Sequence, residues 1–168
     1  MPANLSPQQR LWARILIYLA LVYASLPFMP RLVEALIEKT SAQAFSGLMW
    51  ALFLPPLVWC AWSLRNKPRR IWAEAALAGL LVLLVLILSR SPIEKVHLMV
   101  YGLLGFWVGQ AWPGRAQLHK ALAFILAAGG LDEAIQWLLP MRFGDLTDVL
   151  FNFSGGVLGL WLERQRYS

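Results

Sequence analysis

Several absences narrow the possibilities before any residue pattern is read. Among 168 residues there is one cysteine, Cys60. No intrachain disulfide, iron–sulfur cluster or thiolate zinc site can be built from it. Charge is scarce, at 14% of residues against roughly 25% in an average soluble domain. Acidic residues are scarcest, nine against fifteen Lys and Arg, which leaves a formal charge of +6. In a soluble protein that surplus would raise nucleic acid as a partner. In a membrane protein the bias of Lys and Arg toward the cytoplasmic side accounts for it, so no nucleic acid is expected. The nucleophile motif GxSxG, the metalloprotease motif HExxH and a paired-histidine phosphatase signature are also missing, so no known hydrolase chemistry is spelled out. There is no internal repeat, and residues 1–168 read as a single domain.

Long apolar runs are what the chain has in excess. Apolar residues reach 59%, and six segments meet the length of roughly 17 to 25 apolar residues needed to cross a bilayer as a helix. They fall near residues 11–29, 44–64, 71–89, 95–112, 118–139 and 146–162. The expected fold is therefore all-α, a polytopic membrane helical bundle of about six transmembrane helices surrounded by membrane lipids. Between the first two spans, RLVEALIEK at 31–39 carries apolar residues at 32, 33, 36 and 37, which fits a short amphipathic helix on the membrane surface. Arg10 and Arg14 precede an apolar core followed by Val22-Tyr23-Ala24, the arrangement of a signal peptide; the expectation is an uncleaved anchor. Pro55-Pro56 predicts a kink in the second span.

Counting Lys and Arg sets the orientation. With both termini cytoplasmic, the inner segments hold Arg10, Arg14, Arg65, Lys67, Arg69, Arg70, Arg115, Lys120, Arg164 and Arg166. The outer ones hold Arg31, Lys39, Arg90, Lys95 and Arg142. This two-to-one excess predicts both termini inside. RNKPRR at 65–70 then reads as a cytoplasmic anchor with some attraction to anionic lipid. Of nine tryptophans, Trp12, Trp59, Trp72, Trp112 and Trp161 lie near predicted span ends and read as an interfacial belt.

The informative residues are those that hydrocarbon disfavours. An ionised side chain near the bilayer centre costs about 2.5 to 3.5 kcal/mol on insertion scales, so it faces a partner or a wet cavity. The fifth span carries Asp132, Glu133 and Gln136. Counting back from Pro140 at about 1.5 Å per residue puts Asp132 on the order of 12 Å inside the helix end. Asp132 and Gln136 share a face, with Glu133 turned about 100° away. In the fourth span Glu94, His97, Tyr101 and Gly105 form one stripe, with Lys95 beside it. After Arg142, the sixth span opens with Asp145, Asp148 and Asn152 and continues to Gly155, Gly156 and Gly159. The charge count places all three groups in the outer half, which predicts a polar pocket between spans 4, 5 and 6 open to the extracytoplasmic side. Gly105/Gly109 and Gly155/Gly159 are GxxxG pairs that let helices approach closely. Gly129-Gly130 offers an alternative, a break in span 5 with Asp132 capping a short outer half-helix.

These residues, in this order, resemble the VanZ-like family of bacterial membrane proteins. The family pattern has an Asp-Lys-x-x-His opening with a Tyr four residues later, then Asp-Glu-x-x-Gln, an Arg, and Asp-Val-Leu-x-Asn-x-x-Gly. Here Ile93-Glu94-Lys95-Val96-His97, Tyr101, Asp132-Glu133, Gln136 and Arg142 precede Asp148-Val149-Leu150-Phe151-Asn152-Phe153-Ser154-Gly155. The motif-bearing part is 93–159. Glu94 stands where the family has Asp, and Lys95 to His97 is one residue tighter. The resemblance implies a multi-pass protein of the bacterial inner membrane and cell envelope. It also implies a link to glycopeptide antibiotic resistance, after the member that gives the family its name.

Three functions are open at this stage. In the first, the pocket binds or modifies a lipid-linked or glycan envelope molecule. His97 with Asp132 or Glu133 would form an acid–base pair, Asp148 would complete the catalytic candidates, and Lys95 and Arg142 would hold a phosphate or carboxylate. In the second, the chain is a structural or accessory subunit of a larger membrane complex or a homo-oligomer, with the polar residues locking three helices together. In the third, buried Asp132 and Glu133 serve a small proton-coupled transporter, whose inner half offers only Glu74, Gln110, His119 and Lys120. No cofactor is expected, although Asp132, Glu133 and Asp148 present carboxylate oxygens that suit a divalent cation. His97 and His119 belong to opposite leaflets, so together they cannot ligate a haem.

Overall fold

The computed structural model describes residues 5–41, 65–88, 94–139 and 146–165, together with 43–45, 47, 48, 50–52, 55, 58 and 62. For residues 82, 85, 86, 88, 94 and 95 it describes the backbone alone. The described residues are helical with short turns between, and no strand occurs among them, so the all-α expectation holds.

Local signals set the helix ends. Helix α1 spans Pro7–Ser25. Ser6 caps it, its Oγ accepting from the Gln9 amide at 3.2 Å while the Ser6 amide donates to Gln9 Oε1 at 2.9 Å. This reciprocal box satisfies two amides that a helix start otherwise leaves without partners, and Pro7 in the first turn sacrifices no needed donor. A tight turn follows, and α2, Met29–Thr40, departs at 66° from α1. It is the amphipathic segment expected at 31–39. Helices α3 (Arg69–Leu88) and α4 (Glu94–Ala111) come next. Gly114, at φ +84°, turns the chain through a 3-10 turn at Arg115–Gln117 into α5, Leu118–Leu138. The last helix, α6, spans Leu146–Gln165. The described positions between 43 and 62 are also helical.

Helix α5 runs unbroken through Gly129-Gly130, so the half-helix alternative does not occur. Gly129 instead makes room for a neighbour, since a Cβ there would press on the Asn152 side chain. Gly130 faces open space. Pro56, Trp59 and Cys60 lie outside the described residues, and with them the kink expected at the proline pair.

The closest packing is between α4 and α6, and glycines permit it. A Cβ on Gly105 would collide with the Gly156 carbonyl, one on Gly159 with the Gly102 carbonyl, and one on Gly155 with the Leu98 backbone. The two backbones therefore touch along about two turns of α4 and one of α6, with nothing between them to compress. Helix α5 lies against both, and α1 crosses α4 and α5. Around this pair Ile15, Leu19, Tyr101, Leu104, Val108, Ile125 and Leu160 form the main core. At one end of the bundle Trp12, Trp112 and Phe124 stack edge to face, with centroids 4.8 to 5.8 Å apart. Two of the expected belt tryptophans thus pack on each other.

Several polar side chains are buried while large apolar ones are exposed. Asp132 is 1% exposed and Asn152 0%, whereas Ile17 and Ile87 are 61% and 71% exposed. Leu16 and Leu21 on α1, and Leu80, Leu83 and Leu84 on α3, are exposed too. By length and composition, among the described residues, one helix suffices to cross a membrane: residues Arg115–Leu138, with mean hydropathy 1.3. The bent pair α1 and α2 passes as one unit.

Candidate functional site

The polar residues of three helices meet at the end of the bundle where α4 and α6 begin and α5 ends. Asp132 on α5 is the centre. Its Oδ2 accepts from the Tyr101 hydroxyl of α4 at 2.9 Å and from Asn152 Nδ2 of α6 at 3.5 Å. Its Oδ1 accepts from Gln136 Nε2, one helical turn on, at 3.1 Å. Three donors around one carboxylate replace most of the hydration it loses on burial.

Two links extend the cluster. Gln136 Nε2 also donates to Glu133 Oε1 at 3.0 Å. Glu133 was expected to point about 100° away, yet it is buried and joins Asp132 through this shared amide, because residues three and four apart on a helix both lie within a glutamine's reach. On the other flank, His97 Nδ1 meets Asn152 Oδ1 at 2.8 Å. A carbonyl oxygen can only accept, so Nδ1 carries a hydrogen in this contact, and Nε2 is the ring nitrogen that Asn152 does not engage. The chain of donation runs from His97 to Asn152 to Asp132. His97 is half-buried, while Tyr101, Asp132, Gln136 and Asn152 are within 1% of complete burial.

Tyr23 of α1 is the residue that sequence reasoning missed. Its hydroxyl donates to the Ala128 carbonyl at 2.9 Å, and the Tyr101 hydroxyl approaches the same oxygen at 3.1 Å. The signal was a tyrosine in mid-span, which needs a polar partner for its hydroxyl; it had been absorbed into the cleavage-like Val22-Tyr23-Ala24 pattern.

The side chains of Asp132, Glu133, Gln136 and Asn152 are each at most 5% exposed. His97 is the member that reaches toward the surface. Asp148 sits one turn before Asn152 on α6 and is half-buried. Arg142 and Asp145, and the side chains of Glu94 and Lys95, lie outside the described residues. Among the described residues no group of three or more His, Cys, Asp and Glu side chains is placed to hold a metal ion. The expected set of Asp132, Glu133 and Asp148 is not assembled there.

A second polar cluster occupies the opposite end. Glu74 on α3 accepts from Trp161 Nε1 at 3.2 Å and from Gln165 Nε2 at 3.5 Å, both on α6, and from Arg70 Nε at 3.3 Å. Nearby, Arg164 Nη2 donates to the Gly114 carbonyl at 3.1 Å.

An apolar helical core that also encloses a buried carboxylate–amide cluster, with His97 at its edge, defines the class: an all-α protein organised around a polar network between three helices. The chain belongs to the VanZ/LLP1 family, whose match covers residues 12–164. Neither a curated protein nor a solved structure matches it.

Proposed function

We propose that this chain is a multi-pass protein of the bacterial inner membrane, with about six spans and both termini cytoplasmic. In this reading the α4–α5–α6 cluster holds His97 at the extracytoplasmic end to meet a lipid-linked or glycan envelope molecule. The observation that carries the proposal is the donation chain ending on Asp132, which orients the His97 ring with Nδ1 toward Asn152 and Nε2 away from it. Family membership supports an envelope role, and the exposed leucine faces of α1 and α3 support contact with lipid. Lys95 and Arg142 would add cationic contacts to a phosphate or carboxylate. His97 Nε2 would bind, or exchange a proton with, whatever docks there.

The near-complete burial of Asp132, Gln136 and Asn152 favours a second, narrower role for those three residues: they lock the helices and position His97 without touching the ligand.

His97→Asn separates the two roles. An asparagine amide can replace the Nδ1 donor toward Asn152 but has nothing in place of Nε2. With insertion and melting temperature unchanged, the variant is expected to lose the chain's effect on glycopeptide susceptibility and envelope lipid composition. Asp132→Asn and Asp148→Asn are measured alongside it. Wild-type behaviour of His97→Asn would overturn the role of Nε2, and wild-type behaviour of all three variants would overturn the site.

A further inference from the structure

Two cavities lie against the second polar cluster, away from His97. One, of about 570 Å³, is bordered by Arg70, Glu74, Arg115, Trp161, Arg164 and Gln165. The other, of about 530 Å³, runs between α3 and α6 along Leu77, Ala78, Leu81, Leu84, Val157 and Leu158. Glu74 and Trp161 border both and are hydrogen-bonded to each other at 3.2 Å, so a basic mouth and an apolar groove adjoin on either side of this pair.

We propose that these two adjoining cavities together bind one anionic phospholipid, with the phosphate among Arg70, Arg115 and Arg164 and an acyl chain in the groove between α3 and α6. The charges fit, because three guanidiniums border the mouth and Glu74 supplies one carboxylate, already engaged by Arg70, Trp161 and Gln165. Arg115 is exposed, and Arg164 sits close enough that burial, and next the like charge of Arg115, hold its guanidinium below the usual range. A phosphodiester between the two removes that repulsion. The length fits as well. From Glu74 to Leu84 is ten residues, about 15 Å of helix, close to the hydrocarbon depth of one leaflet, about half of 30 Å. A soluble anion would use the mouth and leave the groove without an occupant. The inference shares the membrane placement proposed above but is independent of the His97 site.

The test is native mass spectrometry of the full chain released from neutral detergent, titrated with dioleoyl phosphatidylglycerol or dioleoyl phosphatidylcholine. Phosphatidylglycerol is expected to bind preferentially. Arg115→Gln and Arg164→Gln should each weaken it about fivefold, the factor that corresponds to one basic side chain at an anionic surface, while Arg115→Lys retains most of the preference. Ala78→Trp, which fills the groove, should abolish binding of the lipid. Arg115 lies on an exposed turn, so its variants keep the test available if Arg164→Gln fails to fold. Equal affinity for the two lipids, an unchanged preference in Arg115→Gln, or displacement of the lipid by millimolar inorganic phosphate with Ala78→Trp silent would each overturn the proposal. Asp132→Asn should leave lipid binding intact, so failure at the envelope site and failure here are told apart.

Discussion

Asp132 shows how much one buried carboxylate organises. Replacing it with leucine keeps the branched shape, with two bulkier methyl groups, but strips the acceptor from Tyr101, Asn152 and Gln136. A buried polar group deprived of its partner costs about 1–3 kcal/mol. Tyr101 still has the Ala128 carbonyl and Gln136 still has Glu133, so the Asn152 amide bears most of the loss. Asp132→Leu is therefore expected to lower stability by about 2–4 kcal/mol, read as a drop in melting temperature in detergent. Asp132→Asn should cost about 1 kcal/mol, because the amide oxygen can still accept from two donors and the Tyr101 hydroxyl can turn fully to Ala128. An Asp132→Leu variant as stable as the wild type would show that the hydrogen bonds contribute little to the fold.

At the scale of the helix pair, the glycines of α4 and α6 divide by what a methyl group would meet. Gly105→Ala and Gly159→Ala place a Cβ on a facing carbonyl, and backbone has no rotamer with which to yield. Each is expected to destabilise by at least the 1–3 kcal/mol typical of overpacking. Gly130→Ala meets open space and should stabilise α5 by up to about 1 kcal/mol, since alanine loses less backbone freedom in a helix. Thermal unfolding of the three variants should rank them in that order, and equal midpoints would contradict backbone contact between α4 and α6. Much of this pair was legible in the sequence because helical spacing alone aligns Tyr101 with Gly105 and Asn152 with Gly156 and Gly159. The Asp132–Gln136 pairing was legible for the same reason. Contacts between helices far apart in the chain leave no such periodicity. Tyr23 reaching Ala128, and Glu74 meeting Trp161 and Gln165, depend on which helices become neighbours. Helical phase alone did not show that Gln136 would join Glu133 to Asp132, because that link depends on the reach of a glutamine side chain.

For the whole molecule, the two polar clusters divide by charge in a way that fixes how it should sit in a bilayer. The helix ends near Asp132 carry Asp132, Glu133 and His97. The opposite ends gather Arg70, Arg115 and Arg164 around Glu74, and Asn152 and Trp161 are separated by nine residues of α6, about 13 Å of rise. The tendency of Lys and Arg to stay on the cytoplasmic side predicts that the arginine end faces inward. In a chain with Cys60 replaced by serine, Gln117→Cys and Leu146→Cys mark the two ends. Gln117 borders the turn between α4 and α5, and Leu146 opens α6 with 74% of its surface exposed. A membrane-impermeant maleimide applied to intact cells with a permeabilised outer layer is expected to label Leu146→Cys and to reach Gln117→Cys only after the inner membrane is opened. The reverse pattern would turn the molecule over. It would put the arginine mouth against the outer leaflet and His97 in the cytoplasm, where an extracytoplasmic envelope ligand cannot reach it.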